Sequence, residues 1–371
     1  MSSRSSAPVA TPNVLAPEDD DDDAPRFDVT PRKLAAFGLF VVLALVALYF
    51  LLPKLAGLED TWHRIDEGDP VWLVVALVFA LGFFGVYGLL FYAIFVDERV
   101  RLNLRECYQI TMAGLAATRL FAAGGAGGLV LQAWALRRAG LPARDVADRT
   151  VSFIVVTYLV YTSAVMLFGF GLHFGLLPGE APFSVTFVPA VLALVVTVVG
   201  LSIAFVPPDL QRRLSGWCEV APRRRRFVSR LAQMPASASA GIREALRRVR
   251  SRDRACLAAI AFWAFQIAVL WASFRAFGES PALAVLVLGF FVGMLGNLLP
   301  LPGGIGGVDG GMIGAFAALG VDVNLAIVAV LVYRGFTFWL PTIPGIVAYL
   351  QLRRTVERWR SERRATAAAP A

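Results

Sequence analysis

The sequence predicts an all-α, polytopic membrane protein in which two glycine-broken segments form an inverted repeat. Hydrophobic residues make up 57% of the 371 residues, compared with about 45–50% in soluble domains. Several apolar runs reach about 20 residues with few charges, which is the length that crosses about 30 Å of hydrocarbon. These runs are apolar on all sides, whereas the helices of soluble proteins are amphipathic. An ordinary soluble enzyme is therefore excluded.

Six uninterrupted apolar runs are predicted to cross the bilayer. Residues 1–30, which are acidic and rich in Ser and Pro, are expected to form a disordered tail. The membrane domain is predicted over residues 31–354, and a cytoplasmic tail over 355–371. The six runs are Leu34–Leu52, Val71–Val96, Thr150–Leu172, Ser184–Val206, Ala255–Phe277 and Leu325–Leu350.

Arginine is concentrated on alternate connections between these spans, which predicts that both termini lie on the cytoplasmic side of the plasma membrane. The connection 207–254 is the most basic, and its arginines suit anionic lipid headgroups. The connections around His63 and His173 carry few basic residues. A net charge of +8 also suits nucleic acid, but no nucleic-acid-binding fold is discernible in this loop, so membrane lipids are the expected partners.

Two further apolar segments, Cys107–Leu136 and Ala282–Leu319, are each interrupted near the middle by glycines. Each glycine cluster precedes an apolar stretch that ends at a glycine, Gly140 or Gly320, 12 and 13 residues later. With the predicted orientation, the first segment enters and returns from the cytoplasm and the second from outside. Each is a re-entrant hairpin or a pair of short helices. The clusters are Gly124, Gly125, Gly127 and Gly128, and Gly303, Gly304, Gly306 and Gly307.

Repeats that enter the membrane from opposite faces are typical of transporters, in which interrupted helices build the substrate site near the midplane. The alternative is that the glycines only allow helices to pack closely, as small residues do in membrane proteins. In the second segment the loop Pro300–Asp309 combines helix-breaking prolines with glycines that let backbone N–H groups approach a ligand. A helix that starts near Val308 would direct its positive end at the loop and favour a phosphate. The loop lacks the nucleotide-binding pattern G-x-x-x-x-G-K-[ST].

Four polar residues are predicted to belong to this site. Arg334 lies about ten residues into the last span, where an arginine costs at least about 2.5–3.5 kcal/mol, so it should face a lipid phosphate, Asp309 or helix carbonyls. Asp309 could pair with Arg334, couple to protons or cap the second helix. Arg119 is either the counterpart of Arg334 or an arginine that extends to the cytoplasmic interface. Asn297 could satisfy the backbone groups of the broken helix.

Motifs of enzymes and metal sites are missing from the sequence. The cysteines Cys107, Cys218 and Cys256 are widely separated, and only two histidines are present, so neither disulfides nor a transition-metal site is expected. No H-E-x-x-H or G-x-S-x-G motif occurs. We therefore expect no enzymatic activity, no cofactor and no metal.

The residues Asn297–Asp309, Leu319-Gly320 and Tyr333-Arg334-Gly335 resemble the lysylphosphatidylglycerol synthase transmembrane-region family, also called flippase-like membrane proteins. The family pattern is a Pro-Gly-Gly-x-Gly loop, an acidic residue, a Gly and an Arg in the following span. The resemblance extends over about Leu34 to Arg354. The sequence departs from the pattern at Asp309, where the family often has Glu, and in the first loop, Ala122–Gly128, which has neither the Pro nor the acidic residue.

The resemblance implies a bacterial or archaeal membrane protein that moves lipids between leaflets. Full synthases carry a soluble aminoacyltransferase domain after the membrane region, whereas this sequence ends at Ala371, so lipid lysylation is not expected. The leading hypothesis is a lipid flippase that binds a phosphate headgroup between the two glycine loops through backbone N–H groups, Arg334 and Arg119. The alternatives are a scaffold for a separate lipid-modifying or glycosyl transferase, and an intramembrane enzyme that uses Asp309.

Overall fold

The computed structural model describes residues 68–97, 102–120, 126–205, 238–299, 301 and 304–368. The described residues are mostly helical, which confirms the predicted all-α membrane bundle. The predicted tail 1–30, the span Leu34–Leu52 and residues 206–237 of the basic loop lie outside the described residues. In chain order, the helices are α1 Pro70–Phe95, α2 Leu104–Leu120, α3 Ala126–Arg138, α4 Ala143–His173, α5 Phe187–Ser202, α6 238–250, α7 Arg254–Phe277, α8 Leu283–Met294, α9 Gly307–Ala318, α10 Val323–Arg334 and α11 Thr342–Ala368.

Three of the predicted spans are observed as long apolar helices, namely α1, α4 and α7, each long enough to cross a membrane. Aspartates stabilise the N-termini of two of them. Asp69 Oδ1 accepts a hydrogen bond of 2.8 Å from Val71 N, and Asp253 Oδ1 accepts one of 3.3 Å from Ala255 N. The span predicted over Ser184–Val206 is shorter, because its first residues form turns after Pro182 and the helix α5 has only 16 residues.

The last predicted span, Leu325–Leu350, is helical but not one regular helix. Helix α10 ends at Arg334, a π-helical turn occupies Gly335–Trp339, and α11 begins at Thr342. Pro341 lies between the turn and α11 and has no N–H to continue the helical hydrogen bonds. The helical stretch over Val323–Glu362 is long and apolar enough to cross a membrane.

Each glycine-broken segment is a pair of helices that pack against each other, α2 with α3 and α8 with α9. The two pairs end in the same way. Gly140 N donates to Arg137 O and Leu141 N to Leu136 O. At the second pair, Gly320 N donates to Ala317 O and Val321 N to Phe316 O. Both glycines have positive φ, 108° at Gly140 and 79° at Gly320. This is the Schellman arrangement, so the two pairs end with the same local hydrogen bonds. The predicted entry of the two pairs from opposite faces stays a prediction.

The helices surround two large apolar clusters. One lies between α4, α7, α8, α9 and α10 and contains the contacting rings of Tyr161, Trp263 and Phe291. The other lies between α1, α2, α3 and α11. Helix α11 approaches α2 closely at Gly345, where an added Cβ atom would lie 2.8 Å from Met112 O. This packing brings the end of α2 against the break that precedes α11.

Candidate functional site

The second glycine loop turns into α9 through a left-handed residue. Gly306 has φ of 81°, a backbone conformation that favours glycine, and its N–H donates to Asp309 Oδ2 at 2.7 Å. Asp309 therefore caps the first turn of α9, as predicted. The amide of Gly304 also donates within the loop, to Leu301 O. The N–H groups of the first turn of α9, Gly307–Asp309, have no acceptor within the helix.

The other oxygen of Asp309 faces Arg334 at the end of α10. Arg334 Nε lies 2.8 Å from Asp309 Oδ1, and the side chains are 10% and 4% exposed. The N–H is not aimed at this oxygen, which has no hydrogen bond, so the contact is an ion pair rather than a hydrogen bond. Two of the roles considered for Asp309, helix capping and pairing with Arg334, therefore occur together.

Arg119 comes from the first glycine-broken segment, one residue before the end of α2, and reaches the break in the last span. Its Nη2 donates to Thr337 O at 2.9 Å, and the residue is 9% exposed. The alternative of an arginine that extends to the cytoplasmic interface is wrong, because the guanidinium is buried against the π-helical turn. Its Nη1 atom has no hydrogen-bond acceptor among the described residues.

Phe338 joins the two arginines. Its ring centroid lies 4.9 Å from Cζ of Arg119 and 4.4 Å from Cζ of Arg334. Cation–π attraction at these distances offsets part of the free energy of burying the cations. No carboxylate of the described residues pairs with Arg119, so the cluster of Arg119, Asp309 and Arg334 carries one net positive charge. We call these three residues with Thr337 and Phe338 the arginine cluster.

The predicted glycines have two roles where the structure describes them. Gly128 and Gly307 are packing residues: added Cβ atoms would lie 2.6 Å from Gly114 O and 2.7 Å from Gly296 O. Gly304 and Gly306 have positive φ, and Gly127 is buried. Gly124, Gly125 and Gly303 lie outside the described residues.

Asn297 is exposed beside the second loop. Its Oδ1 would contact a Cβ atom at Gly304, and its Nδ2 donates to Met294 Sδ at 3.9 Å. Among the described residues, it makes no hydrogen bond to a backbone group of the broken helix. The contacts at Gly128 and Gly307 confirm close helix packing, the alternative interpretation, for one glycine of each glycine cluster.

Two residues of the cluster, Thr337 and Phe338, were not predicted. A signal for Thr337 is present in the sequence, because Pro341 four residues later removes the N–H that would bond to the Thr337 carbonyl in an α-helix. No comparable signal exists for Phe338. Within the described ranges, no three His, Cys, Asp or Glu side chains converge to hold a metal ion.

Known proteins resemble this chain over most of its length. Two proteins described as UPF0104 membrane proteins, both from Methanothermobacter thermautotrophicus strain Delta H, are 24% and 26% identical to it. The first match covers 84% of this chain and 94% of the relative, and the second 82% and 90%. The sequence model of the family described as lysylphosphatidylglycerol synthase TM region matches residues 35–345. This chain therefore belongs to that family of membrane proteins.

Proposed function

We propose that this protein moves a phosphate-bearing lipid between the two leaflets of the membrane and binds its headgroup at Arg119, beside the Asp309–Arg334 pair. The observation that carries the proposal is the Nη1 group of Arg119, which is buried without an acceptor among the described residues. A buried polar group without a partner is unfavourable. An anion that accepts a hydrogen bond from Nη1 would remove this penalty.

The surroundings of Arg119 also suit an anion. The cluster carries one net positive charge, and the first-turn amides of α9 add the positive end of a helix dipole next to Asp309. The loop residues 121–125 and 300–303 contain no ionisable side chain, so they do not neutralise this charge. In the proposal, the headgroup is held between the two glycine loops and the acyl chains stay in the bilayer.

The proposal includes no chemical step and no cofactor. Asp309 is the one acidic side chain at the second loop; its Oδ2 accepts from Gly306 N, and its Oδ1 lies in the ion pair with Arg334 Nε. Both oxygens are thus used inside the protein, which supports a structural role for Asp309 over a catalytic one. We propose a location in the plasma membrane with both termini cytoplasmic, because the arginine-rich connections alternate along the chain.

A scaffold for a separate transferase is the other function considered. Such a role needs an exposed surface for the partner and gives no reason to bury Arg119. The described arginines near the basic loop are partly used inside the protein: Arg248 Nη1 donates to Ala93 O at 3.0 Å, and Arg243 Nη1 to Ala204 O at 3.3 Å. The buried cation therefore favours transport.

A leaflet-resolved assay in proteoliposomes tests the proposal. Fluorescent phosphatidylglycerol, phosphatidate, a polyprenyl phosphate and phosphatidylcholine are compared for protein-dependent exposure to a membrane-impermeant quencher. We expect acceleration for at least one phosphate-bearing anionic lipid, and its loss in Arg119→Gln. Arg247→Gln is the matched control, because this side chain is 77% exposed. No acceleration with any anionic or polyprenyl lipid would contradict the proposal.

A further inference from the structure

The break in the last span leaves a backbone carbonyl without its helical partner. In an α-helix, the carbonyl of Thr337 would accept from the N–H of residue 341, but residue 341 is proline. In the π-helical turn, Leu340 N instead donates to a carbonyl five residues earlier, Gly335 O, at 2.9 Å. The acceptor left over, Thr337 O, is bound by Arg119 Nη2 at 2.9 Å.

Arg119 is thus a tertiary substitute for a missing helical hydrogen bond. It comes from a helix 218 residues earlier in the chain, so the break depends on the position of α2. The Phe338 ring lies against the same guanidinium. With one nitrogen bound to Thr337 O and the ring against the guanidinium, the direction of the second nitrogen, Nη1, is determined.

We propose that Arg119 couples headgroup binding to the helix break at Gly335–Pro341; the identity of the ligand rests on the function proposed above. The guanidinium is planar and rigid, and Nη1 and Nη2 belong to the same plane. An anion on Nη1 therefore restrains the group that holds Thr337 O. By linkage, a lipid that stabilises the break is in turn bound more tightly when the break has this geometry.

Replacing Arg119 by Lys separates its charge from its bridging geometry. The ammonium group keeps the positive charge but is a point donor and cannot present two fixed N–H groups. We expect Arg119→Lys to retain part of the lipid binding and to lose the coupling. Pro341→Ala is the complementary change, because it restores the N–H for Thr337 O and makes the bond from Arg119 redundant.

The experiment uses the full chain in nanodiscs of phosphatidylcholine, with or without phosphatidylglycerol. Hydrogen–deuterium exchange is followed in peptides that cover residues 335–349, and lipid binding is measured by native mass spectrometry. In the wild type, phosphatidylglycerol should slow exchange in these peptides about fivefold or more, the usual lower range of coupling between sites. In Arg119→Lys the slowing should be absent. In Pro341→Ala, exchange should be slow without phosphatidylglycerol and change little when it is added.

Several outcomes would overturn the coupling. These are equal exchange in the wild type with and without phosphatidylglycerol, wild-type slowing in Arg119→Lys, and wild-type behaviour in Pro341→Ala. If Arg119→Lys does not fold, Pro341→Ala decides alone. The proposed function fails separately from the coupling. If the wild type flips lipid but phosphatidylglycerol does not slow hydrogen–deuterium exchange, only the coupling is rejected. If phosphatidylglycerol slows exchange but no lipid moves between leaflets, the coupling is supported and only transport is rejected.

Discussion

Arg334 and Asp309 form a buried ion pair, with Nε of the arginine 2.8 Å from Oδ1 of the aspartate. The pair joins the end of α10 to the first turn of α9. In the sequence, Gly320, which terminates α9, lies between the two residues. Both ions are almost fully shielded by protein, so neither can be left alone without a large penalty. The pair therefore holds α9 and α10 together beside Phe338, whose ring also contacts Arg119.

Removing one ion of this pair is expected to destabilise the protein strongly. Asp309→Ala should lower the free energy of unfolding by about 3–5 kcal/mol, because it leaves Arg334 buried without its counterion. The double variant Asp309→Ala/Arg334→Met should recover most of this loss. The measurement is unfolding by SDS titration in mixed micelles, with Glu362→Ala, which removes an exposed partner of Arg358, as the control. A single variant as stable as the control would contradict the ion-pair role.

The charge of Asp309 is expected to influence which headgroup binds. With Asp309 ionised, the arginine cluster has one net positive charge, equal in size to the single negative charge of a phosphodiester. Asp309→Asn raises the net charge of the cluster to two. The Asn side chain keeps an oxygen that can accept from Gly306 N. We expect the binding ratio of phosphatidate to phosphatidylglycerol at pH 8, where the monoester is mostly doubly charged, to rise about tenfold. Native mass spectrometry with matched acyl chains measures the ratio. An unchanged ratio would mean that the headgroup does not sense Asp309.

Neighbouring glycines on α9 are expected to respond oppositely to alanine. At Gly311 an added Cβ atom would lie 2.7 Å from Gly293 O on α8, whereas at Gly310 it would meet nothing within 4 Å. Gly311→Ala should reduce the free energy of unfolding by about 1–3 kcal/mol through overpacking. Gly310→Ala should raise it by about 0.4–1 kcal/mol, because the unfolded chain becomes less flexible. Thermal unfolding of the two purified variants compares them, and equal shifts would argue against close packing of α8 and α9.

The carboxylate of Glu106 is expected to fasten α2 to α11. Its Oε2 accepts from Asn103 N at 3.0 Å, and its Oε1 accepts from Arg358 Nη2 at 3.1 Å and Trp359 Nε1 at 3.2 Å. In Glu106→Gln an NH₂ group would face these donors, so the stability should fall by about 1.5–3 kcal/mol. Glu362→Gln is the control at an exposed ion pair, with a loss of at most about 0.5 kcal/mol. Similar losses in both variants would rule out this role.

The apolar spans and the ends of the helix pairs could be predicted from sequence because they depend on residues close together in the chain. The runs at Val71–Val96 and Ala255–Phe277 agree with α1 and α7 to within one residue at each end. Gly140 and Gly320 end their helices by local hydrogen bonds. The prediction was less accurate for the last span, where Pro341 interrupts a run that is otherwise continuously apolar.

The sequence by itself determined that the protein is a helical membrane bundle, that two of its segments are broken by glycine, and that arginines lie in apolar surroundings. These properties follow from composition and local spacing. Only the tertiary structure decided which group each arginine meets. Arg119 reaches Thr337 O because α11 packs on α2 through Gly345, and contacts between residues more than 200 positions apart depend on how whole helices pack. Pro341 indicates that a carbonyl needs a donor, but the packing supplies the donor.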